Sequence, residues 1–262
     1  MRGELHSARF LGLDLAWSAR NPTGACALDG EGGIIDESML GSDDEIIEWI
    51  SSLAERPAAV AIDAPLKVPN AAGRRPCESE LSSEYGGRKA GPHSSNRQRL
   101  LATHSEIRGE ALTERLAGLG FRDPWGGGDR TVIEVYPHPA IVEVFGLEER
   151  LVYKSKRGVS VDQRRDGLRT LSRLLTLLEG ASPPLSGPAV AIADDVRGAA
   201  LKAVEDRLDA RLCAWIASVW ATRPGRMRLF GDSATGHIAV PTGVQIVSCH
   251  GRDVRSGSRD AR

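Results

Sequence analysis

Two short apolar runs, each closing on an aspartate, constrain this chain more than any other feature. Ala8-Arg-Phe-Leu-Gly-Leu-Asp-Leu-Ala16 and Ala58-Ala-Val-Ala-Ile-Asp63 are short and almost uninterrupted in apolar character. Runs of that length read as buried strands rather than as helices, and strands of this kind sit inside an α/β sheet. A buried, unpaired carboxylate costs on the order of several kcal/mol even after relaxation. Asp14 and Asp63 therefore belong at strand ends that open onto solvent, or beside groups that neutralise them.

The segments between and beyond these runs set the topology. Asn21-Pro-Thr-Gly24 is turn chemistry, Thr23 to Leu28 a second strand, Asp29-Gly-Glu-Gly-Gly33 a hairpin turn and Ile34 to Met39 a third strand. Three strands on short turns form an antiparallel meander. Ser42 is placed as a helix N-cap with Glu45 at the capping-box position, and Ile46, Ile47, Trp49, Ile50 and Leu53 make the apolar stripe of a helix that stops before Pro57. The strand ending at Asp63 is reached through that helix, so it runs parallel to an earlier strand.

Residues 67–130 read as an insertion. Lys67 to Arg99 is irregular and rich in Gly, Pro, Ser and Arg, and Leu100 to Leu119 is a helix capped by Gly120. Thr131-Val-Ile-Glu-Val-Tyr136 is a strand carrying Glu134, followed by a short helix over Ala140 to Phe145. Helices are expected over Val161 to Glu179 and Leu201 to Trp220, and one or two strands over Gly236 to Val247. The expected organisation is one α/β domain over residues 8–248 with a central mixed sheet, and a disordered Arg/Ser/Gly-rich tail over 251–262.

Composition excludes several classes. With 41% hydrophobic and 26% charged residues the chain is globular, and a net charge of −1 provides no global field for nucleic acid. Any nucleic-acid role needs a local basic patch, for which Arg74, Arg75, Arg88, Lys89 and Arg97 of the insertion are the candidates, together with Lys154. The four cysteines, Cys26, Cys77, Cys213 and Cys249, lack zinc-site spacing and are too few for a disulfide scaffold. Met1 to Phe10 has no apolar core of signal-peptide length, and no run approaches the roughly 20 apolar residues of a membrane span. A cytoplasmic location without membrane association is therefore expected; oligomeric state is not legible.

The acids carry the chemistry. Asp14, Asp63 and Glu134 lie on strands, and Asp206 and Asp209 lie three apart on the late helix, on nearly one face. Clustered carboxylates repel, and a divalent cation relieves the repulsion. Oxygen-only ligands suit Mg²⁺ or Mn²⁺. Asp14, Asp63, Asp206 and Asp209 are the candidate metal ligands, and Asp14, Asp63, Glu134 and Asp209 the candidate catalytic acids. Metal ions held this way activate water in phosphodiester cleavage. His138, between two prolines, is a candidate base or phosphate contact.

The order of these parts resembles the ribonuclease H-like superfamily, and Asp206-x-x-Asp209-Ala210 resembles the acidic helix of Holliday-junction resolvases of that fold. More closely, the chain resembles the domain of unknown function 429 family, whose members are described as predicted nucleases. The resemblance rests on Gly12-Leu-Asp-Leu-Ala-Trp17, Ala61-Ile-Asp-Ala-Pro-Leu66, Arg75-Pro-Cys-Glu78, Glu134-Val-Tyr-Pro-His-Pro139, Phe145-Gly-Leu147, Tyr153-Lys154 and the segment from Asp206 to Ala214. It implies a metal-dependent nuclease acting on DNA or RNA. Two other readings remain open: an actin-like ATP-dependent phosphotransferase, for which Leu15-Ala-Trp-Ser18 is a poor phosphate cradle, and a non-catalytic binding module.

Overall fold

The computed structural model describes residues 7–18, 20–53 and 57–246. In chain order the elements are β1 (Arg9–Asp14), β2 (Thr23–Leu28), β3 (Ile34–Leu40), α1 (Asp43–Ser52), β4 (Pro57–Ile62), α2 (Pro76–Tyr85), α3 (Arg97–Leu101), α4 (Arg108–Gly118), β5 (Thr131–Glu134), α5 (Pro137–Val144), α6 (Val161–Leu177), α7 (Gly198–Thr222), β6 (Met227–Asp232) and β7 (Gly236–Pro241). The expected tail and Cys249 lie outside the described residues.

Five strands form one mixed sheet in the order β3-β2-β1-β4-β5, with β1–β2 and β2–β3 antiparallel and β1–β4 and β4–β5 parallel. β6 and β7 form a separate antiparallel hairpin. Strand alternation splits the core in two. Phe10, Cys26, Leu28, Ala59, Ala61 and Ile133 face α6 and α7. Leu11, Leu13, Ala25, Ala27, Val60, Ile62 and Val132 face the opposite way, toward Ile46, Trp49 and Ile50 of α1 and Leu112 and Leu116 of α4.

Two glycines decide how closely α7 approaches the sheet. A Cβ on Gly12 would stand 2.0 Å from the Ala214 nitrogen and 2.2 Å from the Ala210 carbonyl oxygen. A Cβ on Gly24 would stand 2.4 Å from the Asp206 carbonyl oxygen. Only glycine permits this backbone-to-backbone contact. It lays the helix across β1 and β2 with its Asp206–Asp209 turn beside the ends of the strands.

The insertion is more ordered than its composition predicts. α2 forms where an irregular segment was expected: Pro76 starts it, Glu78 accepts the Arg75 backbone N–H at 3.1 Å, and Cys77, Leu81 and Tyr85 pack on Phe230, Ile238 and Val240 of the hairpin. β6 is likewise a strand absent from the sequence reading. The single helix expected over Leu100 to Leu119 is instead α3 and α4, because the chain leaves the helix to bury Ile107 with Leu100 and Val68. Ser42 caps α1 as expected, but Glu45 reaches the Gly41 N–H at 2.7 Å rather than that of the cap residue. Among the described residues no helix is long and apolar enough to cross a membrane.

Candidate metal centre

The parallel register of β1 and β4 builds the site. Leu13 pairs with Ile62, and the Asp63 N–H donates to the Leu13 carbonyl at 2.9 Å. Asp14 and Asp63 therefore leave adjacent strand ends together, on the face covered by α7. There Asp209, fully buried, completes a group whose ligand atoms lie within 4.8 Å of one another. The three aspartates come from three elements and meet at the carboxyl ends of parallel strands, where open α/β sheets place their ligands.

Burial is the dominant electrostatic influence. It raises the Asp14 carboxyl to about 7, against the opposing pull of Lys154 and Lys202, with the Asp206 carboxyl adding to the rise. Asp63 and Asp209 rise to about 6 for the same reason, with Lys154 again opposing. Oδ2 of Asp14 is buried and accepts no hydrogen bond; the Lys202 ammonium is 3.8 Å away. Oδ2 of Asp209 lies 2.9 Å from the Lys154 ammonium, but the contact is an ion pair without aligned hydrogen-bond geometry. Buried acceptors left this way are a free-energy cost that a cation relieves. Three hard carboxylate donors suit Mg²⁺ or Mn²⁺, so the residues present fit such an ion.

The other candidates sort by where the fold puts them. Asp206 stays outside the group of three and forms an ion pair with Lys202, and its carboxyl is raised by burial. Glu134 does not join the aspartates. It pairs in register with Ile62, one residue before Asp63, so it points to the opposite face of the sheet. Arg75 grips both its oxygens at 2.8 and 2.5 Å, and the Leu66 N–H donates to it at 2.9 Å.

The cations expected to form a clamp have partners within the fold. Arg75 is 1% exposed and also binds Glu78 and the Lys67 carbonyl. Arg88 binds the carbonyls of Val142 and Leu147, Lys89 pairs with Glu149, and Arg97 pairs with Glu110. Arg74 donates to the Ser82 hydroxyl at 2.5 Å. Arg75, Arg88 and Lys89 tie the insertion to Glu134, Val142, Leu147 and Glu149 outside it, while Arg74 and Arg97 bond within it.

Lys154 reaches into the aspartate group from the cleft, 3.1 Å from Asp63 Oδ2 and 2.9 Å from Asp209 Oδ2. Burial would depress its ammonium, but Asp209 and Asp63 hold its pKa well above the ordinary value. Its neighbour Tyr153 is buried and donates its hydroxyl to Asp209 Oδ1 at 2.8 Å. His138 is buried edge-on to Tyr136 and Tyr153, with Nδ1 unpartnered among the described residues. Burial and then Lys154 push its pKa well below the ordinary value.

Asp14, Asp63, Asp206, His138, Tyr153, Lys154 and Lys202 line one cleft of about 870 Å³, with Asp209 buried behind them. Sequence reasoning missed several of its residues. Lys202, four before Asp206, also contacts Glu205 at 3.1 Å, and that i, i+4 spacing was the available signal. Trp17, 55% exposed, stands at the rim. Arg150 and Lys156 line the cleft and make no ion pair among the described residues. Loop cations of this kind give no periodic signal.

The family model described as "Protein of unknown function (DUF429)" matches residues 12–235. The chain belongs to the DUF429 family. The match spans both strand aspartates and the α7 aspartates, so the whole centre lies inside the family's domain. No curated protein and no solved structure matches the chain.

Proposed function

We propose that this DUF429 protein is a metal-dependent hydrolase of phosphodiester bonds in nucleic acid, built on a ribonuclease H-like domain over residues 8–248 with 67–130 inserted. The observation that carries the reading is the convergence of Asp14, Asp63 and Asp209 within 4.8 Å, with Asp14 and Asp63 lining an open cleft at the ends of parallel strands. The strand order, an antiparallel meander continued by parallel β4 and β5, supports the fold assignment.

Asp14, Asp63 and Asp209 would hold Mg²⁺ or Mn²⁺, with Asp206 beside them. When bound, such an ion supplies a Lewis acid for a phosphoryl oxygen and acidifies water. The Tyr153 hydroxyl fixes the orientation of Asp209. Arg150 and Lys156, on the cleft wall, take substrate phosphates in the role first assigned to the insertion, and exposed Trp17 offers a stacking surface for an unpaired base.

The test is incubation of the full chain with labelled single-stranded and duplex DNA, RNA and branched junctions in Mn²⁺, beside chelator controls and Asp14→Asn. Cleavage that needs the ion and is lost in the variant is expected. Hydrolysis that persists in chelator or in Asp14→Asn, or none on any substrate, rejects the proposal.

A further inference from the structure

The aspartate group is not electrically alone. The Lys154 ammonium stands within 3.1 Å of two of its three carboxylates, on a side chain 28% exposed. Its backbone is anchored by Tyr153, which is buried and tied to Asp209 through its hydroxyl. The lysine is thus delivered to the group by a fixed neighbour. Alongside, Glu205 and Asp206 are matched by Lys202 and Arg164, at 3.1 Å for Lys202–Glu205 and 3.2 Å for Arg164–Glu205. That outer set is neutral.

Within the inner set, three carboxylates and one ammonium leave two negative charges. One divalent ion cancels them. Two divalent ions would leave two positive charges in a buried site, where the energy of uncompensated charge is highest. The geometry agrees with the count. Lys154 occupies the side of the group formed by Asp63 Oδ2 and Asp209 Oδ2, while Asp14 Oδ2, on a side chain only 11% exposed, accepts no hydrogen bond and has the Lys202 ammonium of the outer set 3.8 Å away.

We propose that this centre takes a single divalent cation, on the Asp14 side, and that Lys154 occupies the position and supplies the charge of a second. Lys154 is a charge-supplying residue of the centre, not a substrate contact. The inference rests on the reading of the three aspartates as cation ligands, but not on which bond is cleaved.

The experiment is calorimetric titration of the full chain with MnCl₂, with electron paramagnetic resonance on the same samples, for wild type, Lys154→Met, Lys154→Arg and Asp14→Asn. Wild type and Lys154→Arg are expected to bind one Mn²⁺ per chain with the signal of an isolated ion. Asp14→Asn weakens that binding by at least about tenfold. Lys154→Met, which removes the ammonium and keeps an unbranched stem, gains a second ion with a spin-coupled signal, or binds the first at least about tenfold tighter. Two coupled ions in wild type, no binding in wild type, or a Lys154→Met titration matching wild type overturns the inference. Because Lys154→Arg keeps the charge, its one-ion titration also stands as the check should Lys154→Met fail to fold: two ions there reject the idea. Single-ion binding with the expected Lys154→Met change, but no cleavage of any nucleic acid, upholds this inference and rejects the nuclease reading. Cleavage with two ions does the reverse.

Discussion

Asp14 and Asp63 stand together because their strands are hydrogen-bonded one residue earlier: Leu13 pairs with Ile62, and the Asp63 N–H donates to the Leu13 carbonyl at 2.9 Å. Forty-nine positions of sequence separation collapse into one strand spacing, about 4.8 Å. The third aspartate depends on how α7 lies over that pair.

That dependence makes Gly12 a direct probe. A Cβ there meets helix backbone at 2.0 and 2.2 Å, which no rotamer change relieves. Gly12→Ala is expected to destabilise the fold by about 3 kcal/mol and to weaken Mn²⁺ binding as Asp209 is carried away. Urea denaturation checks the first effect and calorimetry the second. A variant with a wild-type midpoint contradicts the packing described.

The aspartates predict an unusual pH dependence. Their carboxyls are raised from 3.8 to about 7 for Asp14 and about 6 for Asp63 and Asp209. A group whose folded pKa is raised adds stability below its unfolded pKa and loses it as pH rises through the folded value. Without metal, the centre therefore becomes destabilising between about pH 4 and 7. Asp63→Asn removes one such charge, so its melting temperature should exceed that of wild type, with the gap widening from pH 5 to 8. Saturating Mn²⁺ competes with these protons and should stabilise wild type more at pH 8 than at pH 5. Melting curves across pH with and without Mn²⁺ read both effects; a gap that narrows with rising pH is the contrary result.

Glu134 separates architecture from chemistry. Truncating one partner of a buried ion pair strands the other charge, so Arg75→Met is expected to cost about 3–5 kcal/mol. Glu134→Gln should also destabilise the fold yet leave Mn²⁺ affinity unchanged, because its side chain is on the other face of the sheet. Loss of Mn²⁺ binding in a folded Glu134→Gln protein would return it to the centre.

Arg150 and Lys156 should contribute to nucleic-acid binding through phosphate alone. Replacing either with Gln is expected to weaken binding similarly across sequences and to reduce the slope of log affinity against log salt by about 1. Fluorescence anisotropy over a salt series measures this. An unchanged slope in both variants removes the cleft wall from the binding surface.

Much of this was legible in the sequence, for physical reasons. Asp14 and Asp63 announce themselves because an acid in an apolar run needs an explanation, and Asp209 because α7 has a clear helical period. Glu134 looked equivalent, but periodicity does not report register, and a shift of one residue sends a side chain to the other face. The insertion arginines looked like a clamp because sequence shows charges without their partners; Arg75, Arg88, Lys89 and Arg97 each find theirs within the fold. α2 escaped notice because its apolar face, Cys77, Leu81 and Tyr85, is completed by a hairpin about 150 residues later.

Anomalous diffraction from crystals soaked in Mn²⁺ interrogates the shared cation directly. One peak at coordinating distance from carboxylate oxygens of Asp14, Asp63 and Asp209 is expected, and none at the Lys154 ammonium. Peaks confined to other carboxylates, with the three aspartates holding only Lys154, would contradict the proposed centre and the hydrolysis built on it.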